Sequence, residues 1–170
     1  MKILVGPLEQ VATLCAAHRP SHLVSWLSPP ADWPEPSAEM QRLRLASHDI
    51  AKPTDGFTSP AAEHVEQLLA FACDWTGERP LLVHCWAGVS RSTAAAFTIA
   101  CAKRPDLAEI ALASRLRDAA PSATPNPLIV ALADVALGRQ GRMSAAVAAI
   151  GRGCDTLFGT PFALDLGRER

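Results

Sequence analysis

The sequence predicts an α/β domain of three layers: a central, mostly parallel sheet with helices on both sides. Three observations lead there. Short apolar runs alternate with amphipathic stretches up to Leu81-Leu82-Val83, and only amphipathic stretches follow. At 170 residues, 49% of them hydrophobic, the chain suits one domain with a sizeable core. A glycine-containing loop joins the run Leu81-Leu82-Val83 directly to a stretch of helix formers, the arrangement that places a ligand at the carboxyl end of a parallel sheet. A single domain is therefore expected over residues 1–158. Residues 159–170 have little pattern and are expected to form a partly disordered C-terminal tail.

Taken in order, Ile3-Leu4-Val5 reads as a strand turned by Gly6-Pro7, and Leu8 to Ala17 as a helix with Leu8, Val11, Leu14 and Cys15 on one side. His22 to Leu27 reads as a second strand. Ser28 to Met40 is a proline-rich loop, and Arg42-Leu43-Arg44-Leu45 is a third strand. Ser59-Pro60 has the form of a helix start, serine as cap and proline at the first position, for a helix to about Trp75. Val65, Leu68, Leu69 and Ala72 form its buried side, and His64 and Glu66 its wet side. Pro80 to His84 is the strand that feeds the loop. Helices are expected beyond it at Thr93 to Ala100, Leu107 to Ala119, Leu128 to Leu137 and Met143 to Ile150, with Pro121 to Pro127 as a linker.

Composition narrows the function. A net charge of −1 implies no general affinity for nucleic acid or for an anionic membrane surface. No apolar run reaches the length of a spanning helix, and Met1 to Val5 is too short for a signal peptide. The cysteine count, 5, is odd and includes no Cys-x-x-Cys pair, which fits a reducing cytoplasm. The histidines and acids show no metal-ligand spacing, so no metal or other cofactor is expected.

The chemistry is concentrated in His84-Cys85-Trp86-Ala87-Gly88-Val89-Ser90-Arg91-Ser92. This loop opens a helix, where unpaired N–H groups and the positive end of the dipole attract anions, phosphate above all. Gly88 permits a turn tight enough for successive N–H groups, from Trp86 to Arg91, to converge on one oxyanion. Such a setting, with a guanidinium nearby, favours a thiolate over a thiol, which would make Cys85 a nucleophile. Arg91 offers a planar fork for two phosphate oxygens, which lysine lacks. The Ser92 hydroxyl is close enough in sequence to bond the sulfur, and His84 can brace the loop.

His-Cys-x-x-Gly-x-x-Arg-Ser resembles the active-site motif of the cysteine-dependent protein tyrosine phosphatases. The form Cys-x-Ala-Gly-x-Ser-Arg-Ser looks most like the dual-specificity branch and its small bacterial relatives. The resemblance covers Leu81 to about Ile99 and implies the tyrosine phosphatase-like fold. It also implies hydrolysis of a phosphorylated protein or small phosphate monoester through a phosphocysteine, without metal. In that family the general acid is an aspartate on a mobile loop following a strand, upstream of the cysteine. Asp49 meets both conditions, and Asp55 is the second choice, since Asp55-Gly56 is a turn signal in its own right. Trp33-Pro34-Glu35 superficially resembles the family's Trp-Pro-Asp loop. It carries Glu for Asp and precedes the third strand, so a proline-stiffened surface loop explains it better. No lysine lies between Cys85 and Arg91, where similar enzymes acting on highly charged phosphoinositides often place basic residues.

Two rival readings share the loop. A pseudophosphatase would bind phosphorylated partners without turnover; the nucleophile, arginine and serine occurring together argue against it. Rhodanese-like sulfur or arsenate chemistry uses a similar anion loop; the glycine position and the Arg-Ser ending favour the phosphatase. The sequence leaves open the oligomeric state and the choice between phosphotyrosine and phosphoserine or phosphothreonine.

Overall fold

Continuous burial along the central strands, on both faces of the sheet, sets the architecture. In the computed structural model, which describes residues 1–35 and 39–167, strands β1 (Lys2–Pro7), β2 (His22–Leu27), β3 (Gln41–Ala46), β4 (Leu81–Cys85) and β5 (Phe162–Asp165) form one sheet in the order β3-β2-β4-β1-β5. The first four are mutually parallel and β5 runs antiparallel to β1. Successive side chains point to opposite faces of a strand. Ile3, Val5, Leu81 and Val83 therefore enter one core cluster, and Leu4 and Leu82 enter another.

Helix α1 (Val11–His18), reached through a short 3-10 turn at Leu8–Gln10, covers the smaller cluster with Val11 and Leu14. The larger cluster takes α2 (Ala62–Cys73), α3 (Arg91–Lys103), α4 (Glu109–Ala119), α5 (Pro127–Ala136) and α6 (Arg142–Ile150). The expected layers are thus present, unequally filled. Helix α3 is buried from Arg91 to Cys101, so it is apolar or small on every side. Phe97, fully buried there, contributes about 1.5–3 kcal/mol by burial alone. No helix among the described residues is long and apolar enough to cross a membrane.

Three expectations fail here. The stretch from Gly159, expected as a partly disordered tail, contains β5, whose Leu164 is buried and whose backbone extends the sheet beside β1. Four residues with one buried position are too short to show a period of two in sequence. Helix α2 starts not behind Ser59 but at Ala62. Ala61, at the cap, has no side chain to accept from the first turn, and its own N–H donates to Nδ1 of His64 at 3.1 Å. The His64 ring is held on its other side by the Ala46 carbonyl, 3.2 Å from Nε2, and stacks on Trp26. His64 therefore caps and packs, rather than facing water.

Candidate active site

The loop between β4 and α3 is shaped by what its carbonyls do. Trp86 O accepts from Leu8 N (3.1 Å), Ala87 O from Gly159 N (2.8 Å), Val89 O from Thr124 N (3.0 Å) and Ser90 O from Ala94 N (3.0 Å). The first three carbonyls are drawn away by distant parts of the chain and the fourth by the first turn of α3, while the Gly88 N–H faces the Cys85 sulfur instead. Thr93 Oγ1 bonds the Val89 and Ser90 carbonyls as well. Gly88 is the residue this geometry demands: its φ is +73°, and a Cβ there would stand 2.6 Å from Pro7 N.

Cys85, at the end of β4, is buried, with its Sγ 3.3 Å from Gly88 N and 3.2 Å from Ser92 Oγ. His84 is wholly buried behind it. Its Nε2 is 2.6 Å from Ser25 Oγ and its Nδ1 3.3 Å from the Cys85 carbonyl. Burial pushes its pKa down to about 4; the Cys85 carbonyl opposes that shift and the Arg91 charge adds to it. At neutral pH the ring is uncharged, so Nδ1 can donate to the Cys85 carbonyl while Nε2 accepts from Ser25.

Arg91, the first residue of α3, folds back under the loop. Its Nη1 donates to the Ser47 carbonyl (2.7 Å) and to Ser28 Oγ (3.0 Å), groups at the carboxyl ends of β3 and β2. Those bonds occupy one nitrogen. The Nε–Nη2 edge, the side that can grip two oxygens of an anion, has no partner among the described residues, and Nε is buried. A buried donor without a partner is costly, and a bound oxyanion would satisfy it.

Asp49 lies across from this cup. Its Oδ1 accepts from Ser90 Oγ and from Asn126 Nδ2, both at 2.7 Å. The Asp49 loop is pinched at its base, where His48 N donates to the Thr58 carbonyl (2.7 Å) and Thr58 N to His48 Nδ1 (3.0 Å). Cys85, Arg91 and Asp49 all line one cleft of about 660 Å³, together with Trp86, Ala87, Val89 and Ser90. Asp55 does not line it and sits in an exposed turn. Glu35 also lies elsewhere, bonded to Arg42 and Arg44 of β3, while Trp33 packs under Arg44. Trp86 is 61% exposed, at the mouth rather than beneath the loop.

Sequence reasoning missed the supports. Asn126 caps α5, accepting from Leu128 N (3.0 Å) and Ile129 N (3.1 Å), while its amide holds Asp49. The signal available was an asparagine before a proline at a helix start, which tells of a cap and nothing of Asp49. Ser25, Ser28, Ser47 and the cleft-lining Asp32 carried no signal at all.

No protein-family model matches the sequence, and no curated protein matches it. Solved structures do. DUSP15 superposes with a TM-score of 0.60 at 19% identity, over 85% of this chain and 89% of that one. Human DUSP28 gives 0.58 at 23% identity, over 80% and 93%. PTPMT1 in complex with PI(5)P gives 0.57 at 14% identity, over 86% and 92%. The chain therefore has the fold of the dual-specificity phosphatases.

Proposed function

We propose that this chain is a cysteine-dependent phosphatase of the dual-specificity type, which hydrolyses phosphate monoesters through a phosphocysteine. One observation carries the reading: the Cys85 sulfur and the unpartnered Nε–Nη2 edge of Arg91 belong to a single loop in which the carbonyls of Trp86, Ala87, Val89 and Ser90 are bonded to other groups and the Gly88 N–H faces the sulfur. That loop can hold the three equatorial oxygens of a phosphoryl group by N–H donors and the guanidinium, with the sulfur in line behind phosphorus.

In the first step the Cys85 thiolate forms a bond to phosphorus as the bond to the ester oxygen breaks. Asp49 gives its proton to that leaving oxygen. Both of its hydrogen bonds fall on Oδ1, so Oδ2 is the oxygen left to carry the proton. In the second step Asp49 takes a proton from water as the water oxygen attacks phosphorus. The Cys85 sulfur departs as thiolate, stabilised by the Ser92 hydroxyl and the Gly88 N–H. Inorganic phosphate and the original enzyme result.

The test is 4-nitrophenyl phosphate hydrolysis without added metal, with acid quench of the labelled enzyme during turnover. Expected is wild-type activity with radiolabel on Cys85, and neither in Cys85→Ser. Phosphate-ester binding without turnover, or thiosulfate turnover in its place, would overturn the reading.

A further inference from the structure

Six large apolar side chains are exposed among the described residues, and Trp86, Leu157 and Phe158 are three of them, 61%, 88% and 43% exposed. They lie in two segments that meet at the cleft. Trp86 and Leu8 line the cleft, and the same two residues line a second hollow of about 210 Å³ with Phe158 and Glu9. Trp86 and Leu8 are therefore a shared wall between the catalytic cleft and an apolar shelf beside it. The far side of the shelf is fixed. Gly159 N donates to Ala87 O at 2.8 Å, and Thr156 Oγ1 donates to Phe158 O at 2.8 Å. Only glycine fits that strap, since a Cβ on Gly159 would stand 2.9 Å from Gly88 O.

Charge selects in a second way. Among the described residues, the acidic side chains around cleft and shelf are Asp32 and Asp49 in the first and Glu9 in the second, against Arg91 as the one guanidinium and no lysine. Lys52, on the Asp49 loop, lines neither. Arg91 and the loop amides are committed to the reacting phosphate. A second phosphate on the same substrate would face the carboxyl groups of Asp32 or Glu9 with no further cation among the described lining residues to pair with, and like charges at close range are costly.

Resting on the phosphatase reading, we propose that the substrate is a phosphorylated peptide segment with a large apolar side chain adjacent to the phosphoresidue. That side chain seats on the shelf of Trp86, Leu8 and Phe158, and the segment carries no further phosphate. One group cannot occupy both hollows, because the Trp86–Leu8 wall stands between them; neighbouring residues of an extended peptide can. The preformed shelf makes this contact without ordering a loop.

Three phosphotyrosine peptides, identical except for leucine, alanine or glutamate on both sides of the phosphoresidue, test this, with phosphothreonine versions beside them. Wild type should turn over the leucine peptide with kcat/KM about tenfold above the alanine peptide and about 100-fold above the glutamate peptide. Phe158→Ala should bring leucine and alanine to within about threefold while leaving phenyl phosphate hydrolysis unchanged. Equal rates on leucine and alanine peptides would overturn the proposal. So would a leucine advantage that survives Phe158→Ala, or faster turnover of phosphatidylinositol 5-phosphate in phosphatidylcholine vesicles than of the leucine peptide. If wild type turns over nothing, the phosphatase reading fails by itself. Binding of the peptides to Cys85→Ser then decides the shelf, with leucine over alanine supporting it and equal affinities overturning it.

Discussion

The two walls of the cleft are held by different means. The cup from Cys85 to Ser92 is continuous in sequence, buried at both ends, and tied by its own carbonyls to three separate segments, at Leu8, Thr124 to Asn126 and Gly159. The opposite wall is one aspartate on an exposed loop, held by Ser90 of the cup and by Asn126 at the head of α5. A group that must bind a fixed anion needs rigidity on every side. A group that must trade a proton with a departing oxygen needs only one oxygen held and the other left clear.

This contrast gives an order of effects. Cys85→Ser removes the nucleophile, and turnover should fall at least about 10⁴-fold while phosphate-ester binding persists by calorimetry. Arg91→Lys leaves a point charge for a fork and should cost about 10³-fold in kcat/KM. Asp49→Asn should slow phenyl phosphate about 10²-fold and 4-nitrophenyl phosphate much less, because a better leaving group needs less help from an acid. If Asp55→Asn shows that pattern instead, the opposite wall has been misassigned. Asn126→Ala should cost about tenfold on phenyl phosphate and add little in an Asp49→Asn background, since the two then act as one unit.

The smallest effect separates bracing from chemistry. His84 is held neutral in the folded chain with its pKa near 4, below the ordinary value of 6.5. Its contribution to stability is full above about pH 6.5 and is lost as pH falls towards 4, up to about 3 kcal/mol. Urea midpoints at pH 7 and pH 4.5 should diverge less in His84→Gln than in wild type. Equal divergence would mean that His84 does not brace the cup in its uncharged form.

The same contrast explains what was legible in the sequence. The cup could be read because its residues are adjacent, so spacing alone carries geometry. The parallel strands could be read because Ile3 to Val5 and Leu81 to Val83 are apolar on both faces. Asp49 follows a strand directly, a position legible in sequence, and Asp49 lines the cleft where Asp55 does not. The supports could not be read. Asn126 lies 77 residues from Asp49, and Ser47 lies 44 from Arg91; no local pattern marks either contact. The helix face of His64 points to solvent, but Ala61 and Trp26 give the ring two other uses that no helical period shows. Strand β5 was overlooked because its order comes from β1 rather than from its own composition.

The strap from Gly159 to Ala87 has a consequence for how the molecule comes into being. On the proposed reading, a nascent chain that has emerged only as far as Ile150 would hold Cys85, Arg91 and Asp49 yet lack the glycine that pins the loop. The anion seat would therefore be complete only once Gly159 has been synthesised.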